Sequence, residues 1–215
     1  MRGITERLAS WLERGGREAG EIAIAVVDGG FELCHRDDLG RNDLRRNTGA
    51  EAARELACFD GGGKFRPLKT APTLRRGWSL RVVGVAELRQ ALDYFYPAMT
   101  GVWHSHACGE LVPVPLRETL GRQSGMYRVT QRITDEQAQE LIGRFCQSDT
   151  GCLKHLLWRI SPDLPIRTLP DWKLRAPSAE ERALPLLCHE ACNLLVAAAR
   201  AVVKKAGAEG GVQGA

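Results

Sequence analysis

No run of residues in this 215-residue chain is long and apolar enough to span a bilayer. The opening stretch "MRGITERLASWLERGG" sets acids among its apolar residues and has no continuous apolar h-region, so it does not read as a secretory signal. These two absences lead to the expectation of a cytoplasmic protein with no membrane association. Charge of one sign is also lacking: 30 Lys+Arg against 26 Asp+Glu leave a net +4, which permits an anionic partner without requiring nucleic acid. There is no internal repeat and no low-complexity block before the glycine-rich tail "GAEGGVQGA", so a fibrous chain is excluded. Residues 35–42, "HRDDLGRN", match a kinase catalytic loop letter for letter. The chain nevertheless lacks the upstream glycine-rich loop, the lysine strand and the D-F-G that such an enzyme needs. Gly61 to Gly63 precede Lys64 without the flanking G-K-[ST] of a phosphate cradle, so a flexible turn is the better account.

What is present is the composition of an ordinary globular protein, 44% hydrophobic and 26% charged. At about 100 to 200 residues per domain, the length suits one large domain or two small ones. Leu8, Trp11 and Leu12 recur at helical spacing and stop at a double glycine. Two β-rich runs flank Asp28-Gly29-Gly30, a hairpin signal. "AEAARELACF" reads as a helix and "SLRVVG" as a short strand. From Val85 the pattern is helical, with segments expected over 85–95, 98–106, 115–124, 135–146, 152–158 and 186–205. Thr134-x-x-Gln137 and Ser178-x-x-Glu181 are candidate capping boxes, and Pro185 kinks or restarts the helix that follows. Between them "SPDLPIRTLPDWKLRAPS" reads as an extended crossover. The expected fold class is α+β: an N-terminal α+β part over residues 1–84, a helical cysteine-bearing part over 85–206 and a disordered tail over 207–215.

Seven cysteines in a chain expected to stay reduced point to metal or redox chemistry rather than disulfides. Four fall into two pairs, Cys146-x5-Cys152 and Cys188-x3-Cys192, with 35 residues between the pairs. On a helix Cys188 and Cys192 would stand one turn apart on one side. Cys146 would close a capped helix and Cys152 would open the next, where the helix N-terminus favours a thiolate. Four thiolates meet the requirement of an iron-sulfur cluster. A structural zinc site also takes four cysteines, with closer spacing than the first pair shows. A free cysteine can also simply be a small core residue. Spacing alone leaves all three readings open.

Other candidates weigh less. Cys34, Cys58 and Cys108 have no partner at ligand spacing. His104-x-His106 with Cys108 would converge only in an extended segment, and the surroundings read as helical. His155 and His189 flank the cysteine pairs and can hydrogen-bond a cluster sulfur or sit on the surface. Basic residues cluster at Lys64, Arg66, Lys69, Arg75, Arg76 and Arg81, and again at Arg117, Arg122, Arg128 and Arg132, with Phe65, Trp78 and Tyr127 interleaved. Such a face suits a polycarboxylate or RNA, though a solvated face is the commoner origin.

"KFRPLKTAPTLRRGW", "PLRETLGRQSGMYRVTQRITDEQ", "CLKHLLW" and "CHEACNLLVAAAR", in that order, resemble the iron-sulfur region fused to CbiX-type sirohydrochlorin cobaltochelatases. The resemblance covers most of residues 22 to 203, and "RETLGRQSGMYR" is its most distinctive part. It implies a 4Fe-4S cluster held by Cys146, Cys152, Cys188 and Cys192. It also implies a role in tetrapyrrole metallation on the way to cobalamin, with an anionic tetrapyrrole as a possible ligand of the basic face. The chelatase domain of those fusions has no counterpart here, because the chain has too few βα units. The expectation is therefore a non-catalytic iron-sulfur accessory, redox or structural, to a separate cobaltochelatase or an electron-transfer protein. The alternative is a module whose four cysteines hold structural zinc and whose basic face meets nucleic acid.

Overall fold

The computed structural model describes residues 3–58, 74–122, 125–146, 152–160 and 182–210. The architecture is α+β and falls into two compact units. Met1–Glu110 with Arg175–Leu186 form the first, and Leu111–Leu174 with Leu187–Ala215 form the second.

The first unit is organised by a six-stranded mixed sheet. It comprises β1 (Glu18–Ala19), β2 (Ile22–Val27), β3 (Gly30–His35), β4 (Arg45–Thr48), β5 (Trp78–Val82) and β7 (Ala183–Leu184), in the order β4-β5-β3-β2-β1-β7. The expected hairpin is β2–β3, antiparallel from Ile22↔His35 to Val27↔Gly30. Its two-residue loop is closed by Gly29 at φ 73°, a conformation glycine adopts without steric cost. Gly30 is required for a second reason: a Cβ there would stand 2.2 Å from the Val82 carbonyl oxygen of the neighbouring strand. Strand alternation puts Ile22, Ile24, Phe31, Leu33, Leu80 and Val82 on one buried face.

Helices α1 (Ile4–Glu13) and α3 (Gly84–Phe95) pack into this unit, followed by α4 (Met99–Ala107); the short α2 (Ala52–Leu56) lies against α3. Leu8, Trp11 and Leu12 of α1 are buried, as the helical spacing predicts. Leu88, Ala91, Leu92 and Phe95 repeat at i, i+3, i+4 and i+7 on α3, and Phe95 stacks on Trp78 with ring centroids 5.0 Å apart. Helices α3 and α4 thus complete the sheet-bearing unit. The compact unit runs to Glu110, whereas the sequence reading divides the chain after residue 84. Local helicity says nothing about which core a helix joins, and that difference follows from it.

Several buried polar groups of this unit are satisfied internally. Leu74 N donates to Glu21 Oε2 (2.7 Å), Glu21 N donates to the Tyr96 hydroxyl (2.9 Å), and Gly77 N donates to Asp38 Oδ2 (2.6 Å). Asp37 and Asp38 lie in a 3-10 turn, Arg36–Asp38, directly after β3, as expected for a strand end.

The second unit contains α5 (Leu116–Gly121), a 3-10 segment (Gly125–Arg132), α6 (Asp135–Phe145), β6 (His155–Leu156), β8 (Leu187–Cys188) and α7 (Asn193–Gly210). Leu116, Leu120, Ile133, Ala138, Leu141, Ile142, Leu195, Val196 and Ala199 form its core. The capping box that starts α6 is present: Gln137 N donates to Thr134 Oγ1 (3.2 Å) and Thr134 N donates to Gln137 Oε1 (2.9 Å).

Two helix expectations fail in this unit. Residues 152–158 do not form a helix; they pass through a bridge at Cys152 into the short strand β6. The apolar run "CLKHLLW" has no period that separates a buried strand from a buried helix. The helix expected over 186–205 begins only at Asn193, after β8. Pairing of Leu187 and Cys188 with His155 and Leu156 of β6 draws that segment into a strand, a choice the apolar run "LPLLC" leaves open. At the other end α7 continues through Gly210, into the segment expected to be disordered. The second capping box at Ser178 and Glu181, the proline-rich crossover up to residue 178, and residues 211–215 of the tail lie outside the described residues.

Candidate metal centre

Each of the four paired cysteines occupies the end of an element or a bridge. Cys146 caps α6 in extended geometry (φ −118°, ψ 140°), its N–H donating to Ile142 O at 2.8 Å. The chain returns so that Cys152 forms a parallel bridge with Cys146, and Cys152 N donates to Phe145 O at 3.1 Å. Downstream, β6 and β8 pair in parallel with Leu156 opposite Cys188, and Leu157 N donates to Cys188 O at 2.8 Å. The Cys188 thiol donates to Glu190 O at 3.1 Å. Cys192 stands just before α7, and its carbonyl accepts the first helical hydrogen bond from Val196 N at 2.9 Å. The expectation that Cys188 and Cys192 share a helix face is therefore corrected: one ends a strand and the other sits at the N-terminal boundary of a helix. Cys152 likewise opens no helix. At Cys192, not at Cys152, the positive end of a helix dipole is present.

Electrostatics couple Cys146 to the other three thiols. Burial pushes Cys146 up to about 12, and the neighbouring Cys192, Cys188 and Cys152 thiols push the same way. Cys188 is raised chiefly by burial, with Cys152 and Cys192 adding to the rise and the ammonium of Lys154 opposing it. Each of the other three cysteines thus acts on Cys146. Without a positive centre Cys146 and Cys188 keep their protons, since a thiolate in that environment is poorly solvated and repelled by its neighbours. A metal centre reverses that balance and displaces the protons when it binds.

Among the described residues, no three His, Cys, Asp or Glu side chains gather closely enough to hold one metal ion. One observation suits a bound group here. The Trp158 indole Nε1 is buried without a hydrogen-bond partner among the described residues, in the same core that holds Cys146 and against which Cys188 and Cys192 pack. Such an orphan donor is costly unless an acceptor arrives. Neither Lys154 nor Trp158 stood out in the sequence; their place beside Cys152 in "CLKHLLW" is the signal that was available.

The remaining candidates separate from this centre. His104 and His106 lie on helix α4, two residues apart, and so face different sides, as the helical reading predicts. Cys34 lies in β3, its thiol pushed up by burial and by the carboxylates of Asp38 and Glu32. The Cys58 thiol donates to Arg54 O at 3.0 Å. His155 lies in β6, and His189 Nε2 is 3.5 Å from Glu190 Oε1.

Much of the basic character is internally neutralised. Arg76 pairs with Asp37 at 2.6 Å, Arg117 with Asp135 at 3.1 Å and Arg122 with Glu118 at 2.5 Å. Trp78, one of the interleaved aromatics, is a core residue at 2% exposure. Lys64, Arg66, Lys69 and Phe65, with the glycines at 61–63, lie outside the described residues, and so do the side chains of Tyr127 and Arg128. Among the described residues no helix is long and apolar enough to cross a membrane.

Comparison with known families defines the class. Residues 108–201 match the 4Fe-4S iron-sulfur cluster binding domain, and residues 4–107 match the DR2241 stabilising domain. The chain therefore carries a 4Fe-4S cluster binding domain behind a stabilising domain, each roughly coincident with one compact unit. Among solved structures it is similar to DR2241 from Deinococcus radiodurans, with 32% sequence identity and a TM-score of 0.70 over 94% of this chain. That protein is described as a multi-domain protein with structural similarity to chelatases and two additional novel domains. The present chain spans 42% of its length. No curated protein matches the chain.

Proposed function

We propose that Cys146, Cys152, Cys188 and Cys192 are the four thiolate ligands of the 4Fe-4S cluster, and that the chain is a cytoplasmic accessory to tetrapyrrole metallation. The feature that supports the ligand set most directly is that Cys192, Cys188 and Cys152, from two distant parts of the sequence, all act on buried Cys146. When bound, the cluster supplies one-electron chemistry. The chain's own residues supply its setting. Cys146 is held at a helix end in a dry core, Cys188 is fixed by the β6–β8 pairing, and Lys154 offsets part of the negative charge. Four cysteine ligands on four irons leave no open position for a substrate, which favours electron transfer or a structural role over catalysis at the cluster.

The link to metallation rests on the similarity to DR2241, described as having structural similarity to chelatases. A separate chelatase or an electron-transfer protein is the partner this reading requires, and a polycarboxylate tetrapyrrole is the ligand its remaining basic residues suit. The protein purified under anaerobic conditions is expected to be brown, with about four iron and four sulfide per chain. A colourless product containing zinc would overturn the cluster assignment for these cysteines. Retention on an immobilised cobaltochelatase, lost when the cluster is removed, tests the accessory role; no retention in either state rejects it.

Trp158 gives a further expected result. Its buried N–H lacks an acceptor among the described residues, in the core against which Cys188 and Cys192 pack, and a hydrogen bond from it to a cluster sulfur would stabilise the reduced, more negative state. Trp158→Phe should leave iron and sulfide content intact and lower the reduction potential by tens of millivolts, read by spectroelectrochemical titration. An unchanged potential in a fully loaded variant would remove Trp158 from this role.

A further inference from the structure

Outside the cysteine pairs, one thiol has partners suited to chemistry. Cys108 caps helix α4 and is partly exposed. Arg7 Nη2, from helix α1, donates to Cys108 Sγ at 3.3 Å. His104 Nε2, one turn back on α4, lies 3.7 Å from the same sulfur. Helices α1 and α4 are in contact within the first unit, so the three groups belong to one compact body.

One further polar atom of each partner is unsatisfied among the described residues. Arg7 Nε and His104 Nδ1 are buried atoms with no hydrogen-bond partner among the described residues, and no carboxylate there pairs with Arg7. A partly buried guanidinium without an anion is unfavourable, and the group that answers it is a sulfur able to become an anion. The C-terminal end of α4 opposes a negative charge at this point. The Arg7 guanidinium stands at hydrogen-bond distance from the sulfur at this same point.

We propose that Cys108, His104 and Arg7 form a reactive-thiol site whose substrates are small hydroperoxides. His104 Nε2 accepts the thiol proton and Arg7 holds the resulting thiolate. The sulfur attacks the terminal oxygen of the hydroperoxide; the S–O bond forms as the O–O bond breaks, and the leaving oxygen takes the proton from His104. The sulfur is oxidised by two electrons to a sulfenic acid and the peroxide is reduced to an alcohol or water. Two equivalents of a small thiol then restore Cys108, giving a disulfide of that thiol and water. This site does not depend on the cluster assignment.

The test uses the full chain, purified anaerobically with its cluster, and Cys58 as an internal reference. Time-resolved alkylation with iodoacetamide, read by peptide mass, is expected to label Cys108 about tenfold faster than Cys58 or more. His104→Gln and Arg7→Gln should each bring Cys108 down to the rate of Cys58, while Arg7→Lys, which keeps the charge, retains most of it. One equivalent of hydrogen peroxide followed by dimedone should give an adduct at Cys108 in the parent and not in His104→Gln. Labelling of Cys108 no faster than Cys58, or unchanged rates in folded His104→Gln protein, overturns the site. Fast alkylation without a dimedone adduct overturns the hydroperoxide as its substrate. Should Arg7→Gln fail to fold, the His104→Gln and Arg7→Lys rates decide alone.

Discussion

Cys146→Ser is expected to lose the brown chromophore and its iron, whereas Cys58→Ser keeps both. Cys146 is the most buried of the four paired cysteines, and the other three all act on it. A serine hydroxyl does not ionise at neutral pH and is a poor ligand for iron compared with a thiolate. On the proposed ligand set, the substitution leaves one corner of the cube without a ligand. It also leaves a hydroxyl in an apolar core, at a cost of about 1–3 kcal/mol if it finds no partner. Visible absorption, iron analysis and thermal melting should all change together in this variant. Full iron content with an unchanged spectrum would remove Cys146 from the ligand set. Cys58 donates to a backbone carbonyl within the other unit, so its replacement makes a suitable control.

Chelating the iron after mild oxidation is expected to split the unfolding behaviour of the chain in two. The first unit has a continuous core built on six paired strands and the α1 and α3 helices, and none of the four paired cysteines belongs to it. Its melting transition should survive cluster removal with little shift. The cysteine-bearing segments of the second unit are held by two-residue strands and isolated bridges, which supply few backbone hydrogen bonds. Structural metal binding is worth about 10 kcal/mol or more. Whole small domains are stable by only about 5–15 kcal/mol. Losing the cluster should therefore abolish or drastically lower the transition of the second unit. Calorimetry of loaded and stripped protein reads the difference directly, and two unchanged transitions would show the cluster to be dispensable for folding.

Several elements were legible because their signals are local. The β2–β3 hairpin follows from alternation around Asp28-Gly29, α1 from Leu8, Trp11 and Leu12, and α6 from its capping box and periodic apolar face. The conformations of Cys152 and Cys188 were not legible. Apolar runs such as "CLKHLLW" and "LPLLC" fit a buried strand or a buried helix equally, and pairing with a partner distant in sequence decides between them. The sheet-side affiliation of α3 and α4 was hidden for the same reason.

By itself the sequence determined the α+β class, the two cysteine pairs and the iron-sulfur character that their surroundings share with a known region. Tertiary structure decided that the other three thiols act on Cys146, that Lys154 and Trp158 lie in their setting, and that Arg7 meets Cys108 across about a hundred residues of chain. The division has a simple cause. Spacing along a chain constrains only residues within a turn or two, while burial and charge depend on which distant segments the folded core brings alongside.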